Sequence, residues 1–221
     1  VPSGHPEIHL YLQLQMAQVI TQAVIDKGIT FAQYLDLTKS IIESSFPKGL
    51  YAKESTFRYT HSNWERIHKV LQNTVISQRL YNQLSELKEE WVWMVLSEPW
   101  CGDASWGVPA LYLIANCSDK IDFRILLRDA HMDIMEAYQT NGGNSIPKMI
   151  CLRKSDLKEL GTWGPRPAVL QELVMKWKSE PNADFKENVR LLHAWYEADM
   201  SRAIDEELTV LVKQWKEKSS I

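Results

Sequence analysis

The sequence predicts an α/β fold, a mixed β-sheet flanked by helices, with additional N- and C-terminal helices around it. Three observations predict it. Trp91-Val92-Trp93-Met94-Val95-Leu96 is a continuous apolar run of strand length, as a central strand buried on both faces requires. Ile121 to Leu127 is a second strand, set off from the first by a stretch with helical apolar spacing. Lys148 to Leu152 and Leu157 to Thr162 flank the polar turn Arg153-Lys154-Ser155-Asp156, the pattern of an antiparallel hairpin. Strands that alternate with helices and close in a hairpin give a sheet of mixed direction.

The other elements follow in chain order. From about His5 to Lys27, apolar residues recur at mixed helical spacing, and Gly28 stops the run. Thr30 with Gln33 three residues later has the form of a capping box, opening a helix that ends before Pro47. Residues 46–60 read as a loop. Ser62 with Glu65 forms a second capping box, opening a helix that presents Trp64, Ile67, Leu71, Leu80 and Leu84 on one side. After the first strand, Val108, Leu111 and Ile114 mark a helix, and Asp129 caps another that runs to about Tyr138. Pro165 and Pro167 precede a helix with Val169, Leu170, Leu173, Val174 and Trp177, and Pro181 ends it. One long last helix is expected over 182–218. The chain thus divides into a helical extension (1–87), a core (88–180) and a C-terminal helix packed on that core (181–221).

Composition narrows the partners. A net charge of −3 with scattered basic residues gives no footprint for nucleic acid or an anionic membrane surface. No apolar run approaches the ~20 residues that cross a bilayer. Nine tryptophans are many for 221 residues, so much of the indole surface must pack in the core or line a cleft. Cys101, Cys117 and Cys151 are too few and too far apart for a disulfide framework, and with no CxxC pair no metal site is expected. The first residues carry neither a basic n-region nor an apolar h-region, so a cytoplasmic location is the expectation.

Trp100-Cys101-Gly102 is the informative feature, because it lies between the end of a buried strand and the start of a helix. A cysteine there meets unpaired N–H groups and the helix dipole, which favour an anion. That placement is expected to lower the thiol from about 8.5 towards 7 and to make Cys101 the most reactive thiol of the three. Asp103, in the first helical turn, opposes a neighbouring thiolate. Cys117 and Cys151 are expected to be packing thiols. Asn141-Gly142-Gly143-Asn144-Ser145 reads as a plain loop, and Arg166 as a structural surface residue.

These landmarks resemble the thioredoxin superfamily in its own order. They are Trp100-Cys101-Gly102 after an apolar strand, Ser145-Ile146-Pro147 before the next one, and then Gly161. With Cys101-Gly102-Asp103-Ala104 and Gly161-Thr162-Trp163-Gly164-Pro165-Arg166-Pro167, the chain resembles an uncharacterised bacterial thioredoxin-like family with a single active-site cysteine. The resemblance implies a cis Ile146-Pro147 peptide beside Cys101. Ala104 stands where dithiol members hold the second cysteine, and Val95 where they keep a buried acid. The Cys-Gly start is also weakly similar to monothiol glutaredoxins.

Two functional readings follow. In the first, Cys101 is the catalytic residue of a monothiol thiol–disulfide oxidoreductase. Trp100, Gly102, Asp103, Ile146 and Pro147 form its substrate groove, and an external thiol resolves the mixed disulfide. A protein disulfide or a glutathionylated protein would be the substrate and glutathione the co-substrate, with no bound cofactor. In the second, the fold is a non-catalytic binding module that holds a protein ligand in the groove beside Pro147. A Cys101 thiol that titrates near 8.5 or above favours the second reading.

Overall fold

The computed structural model describes residues 19–182 and 184–220. A single helical turn, α1 (Gln22–Ile25), is the described part of the first helix read from sequence; residues 5–18 of that reading lie outside the described residues. Next come α2 (Phe31–Ile42), a 3-10 turn (Gly49–Ala52), α3 (Glu54–Asn73) and α4 (Gln78–Ser85). The core follows as β1 (Trp91–Ser97), α5 (Gly102–Ala115), β2 (Ile121–Leu127), a second 3-10 turn (Arg128–Ala130), α6 (Met132–Ala137), β3 (Lys148–Arg153) and β4 (Glu159–Trp163). Three helices close the chain: α7 (Ala168–Ser179), α8 (Phe185–Asp199) and α9 (Arg202–Ser219).

The four strands lie in the order β2-β1-β3-β4. β1 and β2 are parallel, joined through α5, whereas β1–β3 and β3–β4 are antiparallel. The sheet is therefore mixed, and the fold is α/β of the thioredoxin-like kind. Every residue of β1 is buried, which explains its unbroken apolar run. Trp215 of α9 packs edge-on against Trp91 and Trp93, with ring centroids 6.4 and 6.3 Å away. Ile29 exchanges two backbone hydrogen bonds of 2.8 Å with Ile125 and so covers the outer edge of β2. Among the described residues no helix is long and apolar enough to cross a membrane.

Three helix boundaries differ from those the sequence suggests. α3 begins at Glu54, so the stretch read as a loop over 46–60 is partly helical, and Ser62 lies inside α3 instead of capping it. The reason is tertiary: α3 buries Thr60, Asn63, Ile67 and Val70, a face that starts before Ser62. The helix read from 62 onwards is also interrupted after Asn73, and Ser77 starts α4 by accepting from the Leu80 N–H at 3.2 Å. The long last helix is two, because Met200 and Ser201 both take left-handed backbone conformations (φ 44° and 70°). The Thr30–Gln33 capping box is present with both of its hydrogen bonds.

Candidate functional site

β1 delivers the chain to Ser97, and Glu98-Pro99-Trp100 turns it into α5, with Cys101 as the N-cap residue. The turn is pinned from the N-terminal side. Asn63 of α3 donates its amide to the Pro99 carbonyl at 2.9 Å, and Tyr34 of α2 shares a 3.1 Å hydrogen bond with Ser97. Glu98 is buried and accepts the Asp129 N–H at 2.8 Å. Burial, with the nearby Asp129 charge, pushes its carboxyl up to about 7.

Cys101 is 8% exposed, and its thiol donates to the Ile146 carbonyl at 3.3 Å. The Ile146–Pro147 peptide is cis. Ile146 and Pro147 are themselves buried, and Gly107 of α5 closes over the proline ring: a Cβ there would stand 3.1 Å from Pro147 Cγ. The Ile146 carbonyl accepts from the thiol with one of its two lone pairs.

Asp103 is buried two residues further on. Arg166 donates to both of its carboxylate oxygens at 2.7 Å, and the Tyr196 hydroxyl donates to one of them at 3.0 Å. Three donors converging on two oxygens is the complement of a carboxylate. Burial still pushes the Asp103 carboxyl up, against the pull of Arg166 and Tyr196. Arg166 is thus an internal partner of Asp103 and not the surface residue the sequence suggests. The loop 141–145 is a tight turn in which Thr140 and Gly143 pair, and its Asn144 carbonyl accepts from Arg128. Arg128 lies over the Trp100 ring, 4.8 Å from its centroid.

The sequence does not disclose what covers the thiol. α8 lies across the start of α5. Its His193 ring sits on Gly102, where a Cβ would come within 2.9 Å of the imidazole Cε1. Trp106 stacks on Tyr196 at 5.7 Å and donates its indole N–H to His193 Nδ1 at 3.0 Å. An indole only donates, so Nδ1 is the bare nitrogen and Nε2 carries the proton. Burial, with the Arg66 charge behind it, holds His193 down at about 4, so the ring is neutral at pH 7. Val189, Leu192 and Tyr196 recur at helical spacing, while Phe185, one turn earlier, is 70% exposed. That stripe announces a buried face without saying that Cys101 is beneath it.

Between α7, α8 and the Trp100–Asp103 turn is a pocket of about 330 Å³ with Cys101 in its lining. Of the residues singled out from sequence, Trp100, Cys101, Gly102 and Asp103 line it, while Ile146 and Pro147 do not. A larger groove of about 630 Å³ between β4, α7 and α9 has Arg166 in its lining and none of those six.

The thiol itself departs from expectation. Burial, then the Asp103 charge, pushes Cys101 up to about 12, and the N–H groups of Asp103 and Ala104 pull it down by less. Neither N–H closes a capping hydrogen bond to the sulfur. The helix N-terminus loses to desolvation here. Cys117 is half-buried and so more accessible than Cys101, and Cys151 is fully buried on β3. Ala104, one turn into α5, is buried, as is Val95 on β1. Among the described residues no cluster of three or more His, Cys, Asp or Glu side chains could hold a metal ion.

Comparison with known proteins agrees with this geometry. A thioredoxin family model (Thioredoxin_9) matches residues 49–179, more than half of the 221-residue chain, and the match takes in α3 and α4. A crystal structure of a protein of unknown function, PA1234 from Pseudomonas aeruginosa, aligns with a TM-score of 0.57. The alignment covers 88% of this chain and 98% of that one, at 16% identity. A crystallised HIV epitope-scaffold of the 4E10 series aligns over the same shares with a TM-score of 0.55 and 16% identity. Identity that low carries the fold and nothing of the activity. No curated protein matches the chain. The family match over residues 49–179 takes in the sheet, the N-capping Cys101 and the cis-proline, and this chain belongs to the thioredoxin family.

Proposed function

We propose that the protein is a non-catalytic thioredoxin-fold binding module whose ligand site is the pocket above Cys101. The observation that carries this reading is the cover formed by α8. A disulfide exchanger must offer its sulfur to a partner's disulfide, yet here His193 lies on Gly102 and the thiol is 8% exposed.

The thiol chemistry points the same way. With the thiol pushed up to about 12, the thiolate fraction at pH 7 is about 10⁻⁵, against a few per cent for a free cysteine. The greater intrinsic nucleophilicity of a more basic thiolate recovers only part of that loss. Attack is left roughly a hundredfold slower than by an unperturbed thiol. A basic thiolate also leaves slowly, so release of a mixed disulfide would be slow as well. Ala104 supplies no resolving thiol.

A second reading retains single-thiol exchange through Cys101, with glutathione or another external thiol resolving the mixed disulfide. It is favoured by the position of the sulfur at the start of α5, facing the Asp103 and Ala104 N–H groups. The test is incubation of the wild-type chain with glutathione disulfide and with a glutathionylated peptide, followed by mass analysis of each cysteine. Binding alone predicts no exchange at Cys101 beyond that of a free cysteine. Rapid, reversible glutathionylation confined to Cys101 would establish the exchanger instead.

A further inference from the structure

Resting on the binding reading, the question is what the pocket takes. Much of its lining is apolar: Trp100, Val174, Trp177, Phe185, Val189 and Leu192. At about 330 Å³ the pocket sits at the small end of the roughly 300–1,000 Å³ range of small-molecule sites. That is the size of a medium-length chain and much smaller than a peptide segment.

The polar groups are unequal in kind. Both oxygens of Asp103 are already engaged by Arg166, and the two charges cancel. What remains on the lining is the Tyr59 hydroxyl and the Asn188 carboxamide, which donate and accept, and the His193 Nε2–H and the Lys178 ammonium, which only donate. The Nε2–H of His193 and the Asn188 carboxamide have no hydrogen-bond partner among the described residues. Lys178 forms no ion pair there either, although its charge reaches Asp103 and favours the ionised carboxyl. Among the described lining residues, exposed Lys178 is therefore the one unbalanced charge. The thiol at its base donates to Ile146 and presents no charge.

We infer that this pocket binds a medium-chain aliphatic monocarboxylate, its chain between Trp100, Trp177 and the Val189–Leu192 face of α8 and its carboxylate at Lys178. A neutral chain would leave the donors unanswered, and an alkylammonium would be repelled by Lys178. A dianion finds one free cation among the described lining residues.

The experiment titrates the full chain with sodium decanoate, 1-decanol and decylamine. Tryptophan fluorescence is the readout, and iodoacetamide labelling of each cysteine is followed in the same samples. Decanoate is expected to bind at least tenfold more tightly than the alcohol or the amine. It should slow labelling of Cys101 severalfold while leaving Cys117 unchanged. Lys178→Glu, an exposed change, should weaken decanoate at least tenfold without weakening decanol. Val189→Trp, which fills the pocket, should abolish binding of both while circular dichroism stays that of the wild type. Equal affinity for decanol and decanoate, or indifference to Lys178→Glu, overturns the carboxylate assignment. Failure of saturating decanoate to protect Cys101 overturns its location. The binding reading fails separately, on glutathione exchange at Cys101 measured without any ligand.

Discussion

Arg166 donates Nε and Nη2 to the two carboxylate oxygens of Asp103, each at 2.7 Å, and so joins the segment before α7 to the first turn of α5. Tyr196 of α8 adds the third donor to the same carboxylate. One buried acid thereby ties α5, α8 and the segment before α7 together beside the thiol. Arg166→Met should cost about 3–5 kcal/mol of stability, since it leaves that carboxylate buried without its counter-ion. Asp103→Asn should instead lower the Cys101 midpoint, because it removes a like charge beside the sulfur and leaves the guanidinium in place. Denaturant unfolding reads the first effect and the pH profile of Cys101 alkylation the second. An unchanged midpoint in Asp103→Asn would mean that burial alone sets the thiol.

Glu98 gives a pH signature. Its carboxyl titrates at about 7 in the folded chain, against an ordinary 4.5. Between those values the folded state holds a proton that the unfolded state has released, so this group's contribution to stability falls as pH rises from about 4.5 to about 7. The full difference is about 3 kcal/mol. His193 works in the opposite sense: held at about 4 against 6.5, its contribution is lost as pH falls through that interval. The two slopes oppose each other between about pH 4.5 and 6.5. Glu98→Gln should therefore gain stability relative to wild type as pH rises through 4.5–7 and level off above it. A pH-independent difference between the two proteins would show that Glu98 titrates normally.

The strands were the most legible part of the sequence, for a physical reason. β1 is buried along its whole length, so its apolar run marks the element without help from neighbours. The Ser62–Glu65 motif misled because Ser-x-x-Glu also occurs inside helices, and only the burial of Thr60 and Asn63 shows that α3 has already begun. The break at Met200–Ser201 carries no Gly or Pro to announce it. At the site, Cys101 and its neighbours could be placed from the strand-to-helix transition. Arg166 on Asp103 and His193 on Gly102 could not, because those contacts bridge 63 and 91 residues of chain and depend on how α7 and α8 dock.

α9 belongs to the core, and Gly161 tests that. A Cβ at position 161 of β4 would collide with the Trp215 indole, which itself packs on Trp91 and Trp93. Gly161→Ala should cost at least about 1–3 kcal/mol through overpacking. Trp215→Ala should cost about 3–5 kcal/mol through the cavity it leaves. Thermal or denaturant melts measure both. A wild-type melt for either variant would show α9 to be a detachable addition.

Ala104→Cys separates geometry from function. Residue 104 lies one helical turn from the N-cap sulfur, so an oxidised variant should be lighter by two hydrogens and protected from alkylation at 101 and 104. It should still reduce insulin poorly, because α8 covers the pair and Val95 offers no acid to move a proton. Thioredoxin-like insulin reduction by this variant would mean that α8 is no barrier to a protein substrate.

The central claim is that Cys101 is a buried, protonated thiol beneath α8, suited to lining a pocket and not to attack. The most direct measurement is the site-resolved rate of iodoacetamide alkylation of the wild-type protein between pH 6 and 11, read by peptide mass mapping. This account predicts that Cys117 labels before Cys101 at pH 8, and that the Cys101 rate is still rising with pH above 10. A Cys101 rate that leads the other two and reaches its plateau below pH 8 would contradict it.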